Sequence, residues 1–128
     1  MIHRHLLDAY ARLLTVDTKA CAALFAPGAE FRTHLGTQLV HLVGRAEIEA
    51  FLVHVPRQLS FRAGACRAHV DGGFRGTVEV RFPELGTVRH AVAFEVERGL
   101  FQSLEVRHGR LANLMSTAPR VDAARAAT

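Results

Sequence analysis

Long hydrophobic runs are missing from this chain: its apolar stretches are only a few residues each, far short of the roughly 20 that span a bilayer. Met1-Ile2-His3-Arg4-His5 opens directly into a charged amphipathic segment rather than the apolar stretch of a secretory leader. The expectation is a cytoplasmic protein with no membrane partner. Cysteine is scarce as well. Cys21 and Cys66 share no metal-ligand or redox spacing and are too few for a disulfide framework, so free thiols are expected. Lysine is nearly absent: Lys19 is the only one among 16 basic residues, which leaves fifteen arginines, with eight histidines beside them. Tyr10 is the single tyrosine.

What remains is enough for one domain. A chain of 128 residues, 49 % apolar and 22 % charged, builds one hydrophobic core and is too short and too regular for two. The domain is expected over residues 1–115, with 116–128 as a frayed tail lacking an apolar period. A formal charge of +4 and a pI near 10 raise nucleic acid as a partner. The distribution of charge argues against it. Arg75, Arg81, Arg89 and Arg107 alternate with Glu79, Glu95, Glu97 and Glu105 on strand-like segments, where cross-strand pairing neutralises them. There is no basic run and no set of exposed aromatics to stack bases.

Periodicity divides the chain into a helical first part and a stranded second. Ile2, Leu6, Leu7, Tyr10, Leu13 and Leu14 form the stripe of an amphipathic helix. Asp17 stands as an N-cap before a second short helix carrying Ala20, Cys21, Leu24 and Phe25, which Pro27-Gly28 is expected to end. Gly44-Arg45-Ala46-Glu47 opens a third helix with Ile48, Phe51, Leu52 and Val55 on its buried side, up to Pro56. Around Gly36, Glu30–Thr33 and Gln38–His41 read as short strands. After residue 70 the period is two: Phe74, Val78, Val80 and Phe82, then Val88, His90, Val92, Phe94 and Val96, then Leu104, Val106 and His108 share one face of successive strands. Turns at Asp71-Gly72-Gly73, Pro83-Glu84-Leu85-Gly86 and Arg98-Gly99 make these an antiparallel meander with one covered face. The fold class is α+β.

Three passages carry a family resemblance. Leu24-Phe25-Ala26-Pro27-Gly28-Ala29-Glu30-Phe31 is similar to an "LFAxDAxF" passage, Gly44-Arg45-Ala46-Glu47-Ile48-Glu49-Ala50-Phe51 to "GxxAIxxF", and Phe94-Glu95-Val96-Glu97-Arg98-Gly99-Leu100-Phe101 to a hairpin "FxxxDGKI", with Arg98 and Leu100 replacing the usual acidic and basic residues. In this order, over about residues 5 to 110, the chain resembles the nuclear transport factor 2-like superfamily, which includes ketosteroid isomerase and the SnoaL-like polyketide cyclases. The resemblance implies a cone-shaped α+β barrel, a curved sheet wrapped around three helices. It also implies homodimers formed through the outer sheet face.

Within such a cone the inward set includes Leu14, Phe31, Thr33, Phe51, Leu52, Val55, Phe74, Val92, Phe94, Leu104 and Val106, a lining for a small hydrophobic or aromatic molecule. The resemblance makes Tyr10 a candidate oxyanion donor. It does not supply the isomerase's acids, since Thr33 stands at the place of the general-base aspartate and Val92 at that of the second acid. The Asp-Arg-Asp set of limonene epoxide hydrolase has no counterpart either. Histidine is the remaining acid–base group. If Phe94 pairs with Leu104 and Val92 with Val106, His90 faces His108. A histidine pair in an apolar cavity suits acid–base work near neutral pH, as the resemblance to the scytalone dehydratase branch implies. His34 lies near a strand end and is the further candidate. No third metal ligand is identifiable, so no metal and no cofactor are expected. The function expected is binding of a small apolar molecule, with isomerase, cyclase or dehydratase chemistry; the alternative is a non-catalytic binding or oligomerisation module of the same fold.

Overall fold

The computed structural model describes residues 2–35 and 37–108, and the tail expected at 116–128 lies outside them. Element order is α1 (Ile2–Leu13), α2 (Thr18–Ala22), β1 (Phe25–Leu35), β2 (Gln38–Val43), α3 (Arg45–Leu52), β3 (Ser60–Ala68), β4 (Phe74–Phe82), β5 (Gly86–Glu97) and β6 (Leu100–Arg107). One six-stranded sheet runs β2-β1-β6-β5-β4-β3, with β1 parallel to β6 and every other neighbouring pair antiparallel. The architecture is the expected α+β sheet with three helices, except that the sheet does not close into a barrel: β2 and β3 are free edges. No described helix is long and apolar enough to cross a membrane.

The helix ends follow local chemistry. Asp17 caps α2 by accepting from the Ala20 amide at 3.0 Å. Gly44, at φ 99°, precedes α3 without a side-chain cap. Glu47 reaches back instead, accepting from the Val43 amide at 2.9 Å, and Arg45 donates through Nε and Nη2 to the Phe25 carbonyl at 3.0 and 2.6 Å. That clamp ties the start of α3 to the start of β1.

Pro27-Gly28 does not end α2. Both residues lie inside β1, and the second helix stops at Ala22, so Leu24 and Phe25 are not helical. Proline is tolerated there because the β1–β6 ladder is interrupted: Phe25 pairs with Phe101, and pairing resumes only at Glu30 with Ser103. The missing amide of Pro27 falls in the gap.

Two more irregularities shape the sheet. On β6, Glu95 pairs with Ser103 but Val96 with Phe101, so Gln102 is an extra residue. On β3 the register shifts between Ala63 and Cys66. Such bulges bend a strand and increase its twist. Gly76, across from the β3 bulge, leaves no space for a side chain, because a Cβ there would come within 2.7 Å of the Ala65 carbonyl. The hairpin between β5 and β6 turns through Arg98 at φ 56° and Gly99 at φ 79°, the two left-handed residues a tight two-residue turn requires.

The core gathers at the end of the concave face nearest that hairpin. Tyr10 packs edge-on to Phe25 and Phe101, with ring centroids 6.3 and 6.0 Å away, and Phe94 meets Phe101 at 5.4 Å. Phe25, Phe101, Leu7 and Ile48 are fully buried. Gly76→Ala should push the β3 bulge off β4 and lower stability by about 1–3 kcal/mol, measured by urea denaturation; an unchanged midpoint would show that the bulge relaxes freely.

Candidate functional site

The opposite end of the concave face holds the polar residues. In the β5–β6 ladder Phe94 pairs with Leu104 and Val92 with Val106, and two residues further on the His90 and His108 rings stack at a centroid distance of 4.5 Å and an angle of 20°. Across β4, His90 pairs with Val78. The parallel alignment of β1 with β6 brings in a third group. Thr33 Oγ1 and His108 Nε2 lie 2.6 Å apart, within hydrogen-bond distance. Thr33 is 3 % exposed and His90 is 9 % exposed, whereas His108 is exposed.

Among the described residues, neither ring nitrogen of His90 has a hydrogen-bond partner in the chain, and its only aromatic neighbour is His108. The imidazole–carboxylate pairs lie elsewhere: His41 with Glu30 and His69 with Asp71. Burial away from water holds the His90 pKa down to about 4, and the neighbouring His108 adds to the effect. Burial also lowers the pKa of His108, with a further contribution from His34. Both rings are therefore neutral at physiological pH.

The remaining candidate residues separate along the cone. Tyr10 is buried in the aromatic cluster, where desolvation raises the pKa of its phenol and the nearby Cys21 adds to the rise. From Phe101, which Tyr10 touches, to His108 is roughly 20 Å of strand, so Tyr10 and the imidazole pair do not share a site. His34 is exposed on β1, beside rather than within the stack. Leu14, Phe31, Leu52, Phe94 and Leu104 are 1–3 % exposed and belong to the packed core. Phe74 stacks on His3 at 4.3 Å and on Phe94, away from His90 and His108. Phe51 and Val55 are half-buried, and Phe51 meets Phe31 at 5.7 Å, one inward position along β1 from Thr33. Val92 and Val106 form the floor beneath the two rings. The group the structure brings together is thus Thr33, His90 and His108, over Val78, Val92 and Val106.

Other features offer less chemistry. A depression of about 230 Å³ opens on the outer sheet face, lined by Arg32, Asp71, Arg75, Glu95, Ser103 and Glu105 among others. Its arginines are already engaged, Arg32 with Glu30 at 2.8 Å and Arg75 with Asp71 at 3.5 Å. Arg62 likewise bridges Glu79 at 2.9 Å. These pairs carry the mixed charge expected of the outer face. The thiols are unsuited to nucleophilic work: burial raises the Cys21 pKa to about 12, helped by Asp17, and burial raises that of Cys66 too. Among the described residues no three His, Cys, Asp or Glu side chains are arranged to hold a metal ion.

No protein-family model matches the sequence, and no curated protein matches it. Solved structures do. A putative ketosteroid isomerase from Kribbella flavida is similar at a TM-score of 0.66 and 21 % identity, over 84 % of this chain and 77 % of that one. ActVI-ORFA from Streptomyces coelicolor is similar at a TM-score of 0.58 and 22 % identity, over 84 % and 94 %. The orange carotenoid protein of Anabaena, in a structure binding canthaxanthin, is similar at a TM-score of 0.62 and 18 % identity, where 80 % of this chain covers 35 % of that longer one. The fold is that of the nuclear transport factor 2-like, ketosteroid isomerase-like proteins.

A histidine whose folded pKa lies below its unfolded value of about 6.5 binds fewer protons folded than unfolded between the two. Its contribution to stability is complete above pH 6.5 and is lost as pH falls towards 4. The loss attributable to His90 should reach about 3 kcal/mol. Denaturation at pH 7.5 and 4.5 measures it, and His90→Leu should flatten the difference. An NMR titration midpoint for His90 near 6.5 would contradict the environment described.

Proposed function

From a ketosteroid isomerase-like fold as the starting point, we propose that this chain binds a small hydrophobic or aromatic molecule at the histidine end of its cone, with His90 and His108 as its polar contacts. The observation that carries the reading is the ring of His90, buried without a hydrogen-bond partner among the described residues. A neutral imidazole has one donor and one acceptor nitrogen, and each polar group buried without a partner costs about 1–3 kcal/mol. A ligand oxygen or hydroxyl placed over the valine floor would satisfy His90, while the half-buried Phe51 and Val55 offer apolar area beside Thr33. The Anabaena relative, whose structure binds canthaxanthin, supports an apolar ligand in this type of fold.

The chemistry open to such a site is proton transfer between two neutral imidazoles in contact. Thr33 sets how they divide the work. Its hydroxyl occupies Nε2 of His108, leaving Nδ1 of that ring and the nitrogens of His90 for a ligand. Aspartate-based steroid isomerisation is not part of the proposal, because Thr33 and Val92 have no acid to offer and Tyr10 lies in the aromatic cluster. A second reading, a binding module without catalysis, is favoured by the lack of a carboxylate beside His90 and His108 among the described residues.

With 2-naphthol as probe, heteronuclear NMR should show shifts clustered on Thr33, Phe51, Val55, His90 and His108, and His90→Leu should weaken binding at least several-fold. Shifts confined to the outer sheet face would defeat the proposal. The catalytic and non-catalytic readings separate on exchange of the α-protons of 2-tetralone in deuterated water: a rate above that of buffer, lost in His90→Leu, supports proton transfer, and a buffer rate supports the binding module.

A further inference from the structure

The histidine pair also bears on the charge of its ligand. We infer that this end of the cone takes an aromatic molecule with a carboxylate head, and that one proton is taken up by the imidazole pair as it binds. The inference rests on the ligand-binding reading above and adds the head group and the proton.

Geometry comes first. Two imidazoles stacked at 4.5 Å have room for one positive charge between them, because a second would repel it at contact distance. The described groups on the face of the pair are Thr33 from β1, Val78 from β4, Val92 from β5 and Val106 from β6, and His34, which alternates to the other side of β1, is near enough to act on His108 through its charge. None carries negative charge. Arg89 and Arg107 alternate to the opposite face of their strands, and the nearest carboxylates along the ladder, Glu79 and Glu105, lie on that outer face, where they meet Arg62 and Arg107. A proton on either ring therefore has no counter-charge among the described residues, which agrees with the lowered pKa of both.

A ligand carboxylate supplies that counter-charge. Above pH 5 the acid is ionised in solution; on binding, a proton from solvent joins one ring nitrogen, and an N–H donates to the carboxylate oxygen as a charge-assisted hydrogen bond. Two opposite charges enter together, and the site stays neutral overall. Thr33 holds the other ring by its hydrogen bond to Nε2 of His108. The planar body of the ligand lies on the apolar residues next to the rings.

Linkage makes this measurable. While the free pair is neutral and the complex holds one extra proton, affinity rises about tenfold for each unit of pH decrease. The full chain is titrated calorimetrically with 2-naphthoate and with 2-naphthamide, at pH 7.5 and 6.5, in phosphate and in Tris. The expected result is uptake of up to one proton for the naphthoate, a Kd several-fold lower at pH 6.5, and no pH or buffer dependence for the amide. His90→Gln and His108→Gln should each abolish the proton uptake. If acid and amide bind alike, with no proton taken up, the head-group inference is overturned and the ligand-binding reading stands. If neither binds, both fall.

Discussion

The parallel pairing of β1 with β6 is the contact on which the rest of the molecule depends. Each of these strands is central to the sheet, yet neither is the other's neighbour in sequence, and the pairing joins the first third of the chain to its last strand. At one end it sets Phe25 beside Phe101, the two fully buried rings that hold Tyr10 and the first helix. At the other it carries Thr33 to His108. Packing and chemistry are therefore two ends of one ladder, and the arginine clamp from α3 to the Phe25 carbonyl fixes the helix layer to the same strand.

Much of this was legible in the sequence because it follows from period and turns. The stripe from Leu6 to Leu14 and the alternation through Phe74, Val78, Val92 and Phe94 specify which faces are buried, and matching the apolar positions of β5 and β6, Phe94 to Leu104 and Val92 to Val106, specifies the register that stacks His90 on His108. What escaped lies at the bulges. Phe25 reads as helical beside Cys21 and Leu24 because its role comes from a distant strand rather than from its neighbours. Phe101 has the wrong parity relative to Leu104, Val106 and His108, and only the extra residue Gln102 returns it to the inner face. The open sheet and the contact between Thr33 and His108 depend on non-local pairing, which periodicity cannot show.

The site gains its character from what its surroundings omit. Elsewhere His41 stands next to Glu30 and His69 next to Asp71, and Arg62 is matched across strands to Glu79. At the histidine end the neighbours are valines and one hydroxyl. An imidazole there is kept neutral by desolvation rather than tuned by an acid, so it differs in kind from the aspartate-paired histidine of a hydrolase, whose partner stabilises the charged form. A basic chain with a pI near 10 thus has, at this one end of its sheet, a patch free of charge in its resting state.

Gln102 has a consequence for how chains of this kind can be compared. Phe101 and His108 are separated by an odd number of steps, which on a regular strand would place them on opposite faces. With the bulge they share a face, so β6 consists of two segments written in different phase, one for the aromatic cluster and one for the imidazoles. Loss of that single residue would preserve every hydrophobic and every histidine in the sequence while turning one segment inside out. Spacing across residue 102, more than the identity of any side chain near it, is then the quantity to match when asking whether another chain carries the same site.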